Sequence, residues 1–271
     1  MTTSESDVPV TVATLRAMKK RGEPIACLTA YDASFASVLD RAGVDVVLVG
    51  DSLGMVVKGE STTIPVTVDD MVHHARAVAS GLKRALLMVD MPFMSYATPE
   101  RALDSASRLL KEGGAHMLKL EGGADQAGTV RGLSALGIPI CAHLGLQPQS
   151  VHKLGGYRVQ GREAQAAQLM LEDARLLEAA GADALVLECI PRDLAKRISS
   201  ELSIPVIGIG AGPDCDGQVL VLYDMLGITP GKLPRFVRQF TPSEGGIPQA
   251  VADYVRAVRS REFPAPEHCF E

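Results

Sequence analysis

The segment HMLKLEGG, residues 116–123, places Lys119 and Glu121 inside an apolar run that reads as a buried strand. Side chains alternate along a strand, so these two share one face with Met117 while Leu118 and Leu120 take the other. A lone buried ammonium or carboxylate is costly unless it is paired or bound to a metal. A structural Lys–Glu pair would satisfy both, but other apolar runs carry charges in the same way. Asp51 closes DVVLVGDS, Asp90 closes the strand part of ALLMVDMP, His143 lies in IPICAHLGL and Glu188 in DALVLECI. Four carboxylates then face one lysine and one histidine. Brought together, like charges raise one another's pKa unless a cation sits among them. An oxygen-only donor set suits a hard ion, Mg²⁺ first, whereas zinc wants nitrogen or sulfur. A purely structural charge network is the other reading of these residues.

Whether these groups meet depends on the elements that carry them. Short apolar runs alternate with amphipathic stretches that end in glycine. The runs lie at 25–32, 45–52, 85–92, 115–122, 138–146, 183–190, 204–212 and 217–224. Between them, TPERALDSASRLLKEGG has Thr98 as N-cap, Pro99 at the first helical position, a stripe of Leu103, Ala106 and Leu110, and Gly113 as stop. REAQAAQLMLEDARLLEAAG puts Ala166, Met170, Ala174 and Leu177 on one stripe, and TVDDMVHHARAVASG opens at Thr67 with acids in its first turn. Strand followed by helix, repeated without a linker through eight apolar runs, predicts one α/β domain over 1–271, a (β/α)8 TIM barrel. An open doubly wound sheet would want a glycine-rich turn after the first strand, and TAYDASFAS has none. Residues 1 to about 10 are expected to be flexible. TVATLRAMKKRGEP is expected to be a helix that plugs the lower mouth of the barrel, and about 246–271 a C-terminal helix and tail. PDCD between the last two strands is too short for a helix. Barrel active sites lie at the carboxyl ends of the strands, where all six ionisable groups fall.

Composition narrows the function classes. A net charge of −5, with no basic stripe, argues against nucleic acid, and no run approaches the length of a membrane span. MTTSESDVPVTV lacks the regions of a signal peptide, so the expectation is a cytoplasmic protein. Five cysteines, none in a CxxC and three within apolar runs, read as small core residues of a reducing compartment.

Six words in order, VGDSLGMVVKGESTTIPVTVDDM, VDMPFMSYATPE, LKLEGG, AHLGLQPQSVHKLGGYRVQGR, LVLECIP and IPVIGIGAG, resemble the ketopantoate hydroxymethyltransferase family. The resemblance runs from about Thr11 to the final PAPEHCF. It implies a (β/α)8 barrel that binds one Mg²⁺ per subunit and transfers a hydroxymethyl group from 5,10-methylenetetrahydrofolate to 3-methyl-2-oxobutanoate. That reaction opens pantothenate synthesis. It further implies a homodecamer built as a pentamer of dimers. Residue by residue, Asp51, Asp90 and Glu121 match the family's metal ligands. Asp51, Ser52, Asp90 and Lys119 match its keto-acid contacts, Glu188 its proton acceptor, and His143 its active-site histidine. No position is implied for the folate.

Bland roles stand beside these. Ser52 could cap the following turn, and His143 could be a core histidine. His73 and His74 are expected to be solvated on different faces of a helix, and Cys189 to point away from the mouth. GIGAG, 208–212, reads mainly as tight packing, with a folate contact as the alternative. The long loops LGMVVKGESTTIPVTVDD and QPQSVHKLGGYRVQGR suit lids, the second as a wall of the folate side, or subunit contacts. Two other functions fit the same barrel. One is a Mg²⁺-dependent lyase or mutase of a phosphoenolpyruvate-like acid, which would want a cysteine on a loop. The other is a non-catalytic barrel that binds an anion.

Overall fold

A computed structural model describes residues 8–241 and 244–271. Most of the flexible segment expected at the N-terminus thus lies outside the described residues. The strands are β1 (Ile25–Thr29), β2 (Val46–Val49), β3 (Leu86–Asp90), β4 (Met117–Glu121), β5 (Ile140–Gly145), β6 (Ala184–Glu188), β7 (Val206–Ile209) and β8 (Gly217–Leu220). They pair in parallel in sequence order, and β8 closes on β1 with Ile25 opposite Gly217. Helices cover the outside, so most strand residues are buried on both faces, and their sequences run apolar rather than alternating.

Caps place several of these helices. The Thr67 and Thr98 hydroxyls accept from Asp70 and Arg101 amides at the starts of Val68–Gly81 and Pro99–Lys111, satisfying donors that the helix cannot. Two stripes differ from expectation. In Pro99–Lys111 the buried residues are Ala102, Ser105, Ala106 and Leu109, while Leu103 faces out. In Ala164–Ala179 Leu171, Ala174 and Leu177 are buried, and Ala166 is exposed. In the first of these, three of the four buried residues are small, a choice that hydrophobicity alone does not rank.

The lower mouth is closed as the sequence suggests. The helix Val12–Arg21 lies across it, with Lys19 Nζ 2.6 Å from Asp216 Oδ2 and Arg16 2.7 Å from Asp183 Oδ1. Those aspartates immediately precede β8 and β6. No helix joins β7 to β8. The helix Gly246–Arg259, expected to fall outside the repeat, instead packs on β1 and takes the eighth helical place. Its fully buried Tyr254 sets its hydroxyl 2.9 Å from the Cys27 carbonyl and 3.0 Å from that of Gln218, bridging the seam between β1 and β8.

Candidate active site

Strand register brings the charged residues together at the upper mouth. Asp90 pairs with Lys119 across β3 and β4, Glu121 with His143 across β4 and β5, and Glu188 with Gly145 across β5 and β6. Asp51 sits two residues past the end of β2, in the turn before the short helix Leu53–Val56. Gly50 makes that turn possible, because a Cβ there would lie 2.8 Å from Ser52 Oγ and 3.5 Å from Asp90 Oδ2. All six ionisable groups and Ser52 line one cavity of about 850 Å³.

Two chains of contacts run through the cluster. In the first, Lys119 Nζ lies 2.9 Å from Asp90 Oδ1 and 3.3 Å from His143 Nδ1, and His143 Nε2 lies 3.3 Å from Glu188 Oε2. The ammonium can only donate, so Nδ1 accepts and the imidazole proton belongs on Nε2, facing Glu188. Neither the Asp90 Oδ1 contact nor the Glu188 contact has hydrogen-bond alignment, which leaves Asp90 Oδ1 and His143 Nε2 buried without a hydrogen-bond partner. In the second, Gln149 Nε2 donates to Asp51 Oδ2 and to the Met91 carbonyl, both at 2.9 Å, while its backbone N–H donates to Glu121 Oε2 at 3.1 Å. The Tyr96 hydroxyl donates to Gln149 Oε1 at 2.5 Å. Asp90 Oδ2 accepts the Asp51 N–H at 3.0 Å, joining the chains.

Burial and crowding shape the charges. Burial first, then the Asp90 charge, pushes the Asp51 carboxyl up to about 7, and burial with Asp51 nearby holds Glu121 well above the carboxylate range. Glu188 is pushed up to about 7 by burial, against the pull of Lys119. Burial lowers the Lys119 pKa, but Asp90, Glu121 and Asp51 more than offset it, so this lysine stays charged. Burial and the Lys119 charge hold His143 well below its ordinary value, so it is neutral.

Ser52 does not cap with its side chain. Its hydroxyl lies 2.9 Å from the Tyr31 hydroxyl. His143 is deeply buried, as a core histidine would be, yet it lines the cavity. His73 is exposed, but His74 is half-buried with Nδ1 2.7 Å from the Tyr31 carbonyl, so only one of the pair is solvated. Cys189 departs from expectation. Strand alternation ends at Glu188, Cys189 takes φ 48°, and this turns it into the cavity lining. Burial and the Glu188 charge push its thiol up, so it stays protonated. GIGAG is a packing segment: a Cβ at Gly208 would lie 2.9 Å from Cys215 Sγ, and one at Gly212 2.7 Å from Arg192 Cβ. The two long loops meet, with the Tyr157 hydroxyl 3.5 Å from Met55 Sδ.

Sequence reasoning missed Gln149, Tyr96 and Tyr31. A glutamine in a loop and a tyrosine after a strand look the same whether they face solvent or a site. Only the pairing of Gln149 with Asp51, across 98 residues of chain, reveals its place.

The donor set has the character that a hard divalent cation requires. Three buried carboxylates, two with raised pKa values, share a single ammonium, and Asp90 Oδ1 lacks a hydrogen-bond partner. This excess of buried negative oxygen fits such an ion chemically. Among the described residues, no three His, Cys, Asp or Glu side chains converge closely enough to hold one as they stand. Gln149 holds Asp51 and Glu121 from between.

The family profile described as ketopantoate hydroxymethyltransferase matches residues 9–266. The chain belongs to that family. The 3-methyl-2-oxobutanoate hydroxymethyltransferase of Alkalilimnicola ehrlichii is 62% identical over 262 residues, covering 97% of this chain and 95% of its own. That of Halorhodospira halophila is 60% identical, with the same 97% and 95% coverage. The protein is accordingly an enzyme of the transferase class that acts on small molecules. Among solved structures, phosphonopyruvate hydrolase aligns with TM-score 0.60 at 14% identity, over 78% of this chain and 80% of its own. A 2,3-dimethylmalate lyase, a PEP mutase/isocitrate lyase superfamily member, aligns with TM-score 0.57 at 18% identity over 80% of each chain. At such identity the likeness is one of fold. Among the described residues, no helix is long and apolar enough to cross a membrane.

Proposed function

We propose that this enzyme converts 3-methyl-2-oxobutanoate, 5,10-methylenetetrahydrofolate and water into 2-dehydropantoate (ketopantoate) and tetrahydrofolate, opening pantothenate synthesis. The observation that carries this reading is Glu188, a carboxylate at the cavity wall pushed up to about 7, facing the same space as the Lys119–Asp90 pair. A base near neutral pKa is what removal of a weakly acidic C–H beside a carbonyl requires.

Lys119 binds the keto acid's negative end as a compact cation, and Ser52 and the Asp51 and Asp90 region orient it. Glu188 takes the proton from C3, and neutral His143, with Nε2 3.3 Å from Glu188 Oε2, packs beside that carboxylate. The enolate carbon then takes up the one-carbon unit, water supplies the hydroxyl oxygen, and tetrahydrofolate leaves. Asp51, Asp90 and Glu121 would hold Mg²⁺, in part through water. An ion held there would supply polarisation of the keto carbonyl and would offset the charge that develops on its oxygen. The reading includes a single barrel domain acting in the cytoplasm and assembled as a decamer, which sedimentation tests.

The experiment is to incubate the purified protein with both substrates and Mg²⁺, with and without chelator, and to follow 2-dehydropantoate by proton NMR. Product that requires the metal is expected. A folded, metal-loaded protein that forms none would overturn the reading. The lyase alternative wants a cysteine on a loop; Cys189 lines the cavity but is buried and directly follows β6.

A further inference from the structure

The cavity is far larger than a small keto acid needs, and its two halves differ in chemistry. The β2–β4 half carries Asp51, Asp90, Lys119 and Glu121. The half over β6–β8 carries aromatic rings and cations. Phe236 and Phe270 line it with ring centroids 6.5 Å apart and planes at 70°. Both press on Gly210, where a Cβ would lie 3.0 Å from Phe236 and 3.1 Å from Phe270. Gly210 follows Ile209, the strand partner of Glu188. The aromatic pair therefore stands just past the end of β7, the strand next to the one that carries the base. On the β5 side of Glu188, the Gln160 N–H donates to the Cys189 carbonyl at 2.9 Å, fixing the loop that brings Tyr157 and Arg158 to the cavity.

Lys232 and Arg235, after β8, and Arg158, on the loop after β5, line the cavity and are exposed. The ion pairs among the described residues are made by other cations. The segment bearing Lys232 and Arg235 is anchored rather than loose: Thr229 Oγ1 donates to Asp224 Oδ1 at 2.6 Å, and Arg235 Nε donates to the Glu267 carbonyl at 2.9 Å. In a chain of net charge −5, three such cations around one opening select an anionic ligand. Flat rings beside the base and cations at the rim suit a molecule with an aromatic head and a carboxylate tail.

We propose that the β6–β8 half is the folate subsite, with the pterin and benzoyl rings against Phe236 and Phe270 and the glutamate carboxylates on Arg158, Lys232 and Arg235. This inference rests on the transfer reaction proposed above and assigns the residues for its second substrate. It places the one-carbon unit across Glu188 from the keto acid. It also accounts for a cavity within the roughly 300–1,000 Å³ typical of sites for ligands of this size. Each added glutamate on the folate then meets further positive charge, so affinity should rise with tail length.

The test measures binding of tetrahydrofolate and its triglutamate to the full chain by calorimetry, with Mg²⁺ and keto acid present. Arg158→Gln/Lys232→Gln and Phe236→Leu are compared with Lys196→Gln, a surface cation outside the cavity. The double variant is expected to bind about three- to tenfold more weakly and to lose the preference for the longer tail. Phe236→Leu is expected to weaken both ligands equally. Exchange of the C3 hydrogen in D₂O needs no folate and reports separately on the keto-acid half. Unchanged folate affinity in the variants, weakening equal to that of Lys196→Gln, or loss of C3 exchange together with binding would overturn the subsite. A wild-type protein that neither exchanges C3 hydrogen nor binds tetrahydrofolate would instead refute the transfer reaction itself.

Discussion

If Glu188 removes the C3 proton, the pH dependence of hydrogen exchange follows its ionisation. With its pKa at about 7, roughly a tenth of the carboxyl is ionised at pH 6, half at pH 7 and about nine-tenths at pH 8. Exchange should therefore rise about tenfold from pH 6 to pH 8, with its midpoint near 7. An ordinary glutamate, ionised throughout that range, would give a flat profile. The assay follows the methyl doublet of 3-methyl-2-oxobutanoate in D₂O, which collapses as deuterium replaces the C3 hydrogen. Glu188→Gln should slow exchange by about 10²–10⁴-fold. The same shift has a cost in stability. A carboxyl with a raised folded pKa binds more protons folded than unfolded between about 4.5 and 7, so folding stability falls as pH rises through that window. The displacement of about 2.5 units corresponds to roughly 3 kcal/mol. In metal-free protein, Glu188→Gln should therefore lose up to about 3 kcal/mol less than wild type between pH 5 and pH 8 in urea unfolding. A flat exchange profile, or a glutamine variant that exchanges as fast as wild type, would refute the assignment.

Three further outcomes are expected. Gln149→Leu leaves Asp51 Oδ2, the Met91 carbonyl and the Tyr96 hydroxyl without their partner, and should cost about 1–3 kcal/mol in urea unfolding while slowing exchange. A variant with wild-type stability would show that water replaces the amide freely. Gly145→Ala puts a side chain at φ 95°, with its Cβ 2.1 Å from the Glu188 carbonyl oxygen, so it should lose about 3 kcal/mol or more and shift the base. An alanine variant that unfolds at the wild-type urea midpoint would count against that close approach. Mg²⁺ binding should release more protons near pH 6.5 than at pH 8, because Asp51, at about 7, and Glu121, held above the carboxylate range, must ionise to serve as ligands. Calorimetry in buffers of different ionisation enthalpy measures this, and release that does not vary with pH would contradict the raised Asp51 value.

The sequence by itself determined the eight-strand alternation and the groups that gather at the mouth. Strands buried on both faces are apolar throughout, so Asp90, Lys119, Glu121, His143 and Glu188 stood out as residues that burial alone would not select. The threonine caps were legible because their partners lie three residues away. Contacts between distant segments were decided by the tertiary structure alone. Tyr254 bridges β1 and β8 from 227 residues along the chain, making the last helix the eighth of the barrel instead of a tail. Gln149 joins Asp51 to Glu121 because a loop folds back over the mouth, and nothing in a glutamine's type or spacing announces that. Cys189 faces the cavity because its backbone leaves the strand at positive φ, which ends the alternation on which sequence reading depends. The cations at the rim are likewise scattered through two segments, 158 and 232–235, and line one cavity only because the loop after β5 and the segment after β8 both reach the mouth. Local periodicity encodes which face of an element is buried, whereas closure of the barrel decides which faces meet.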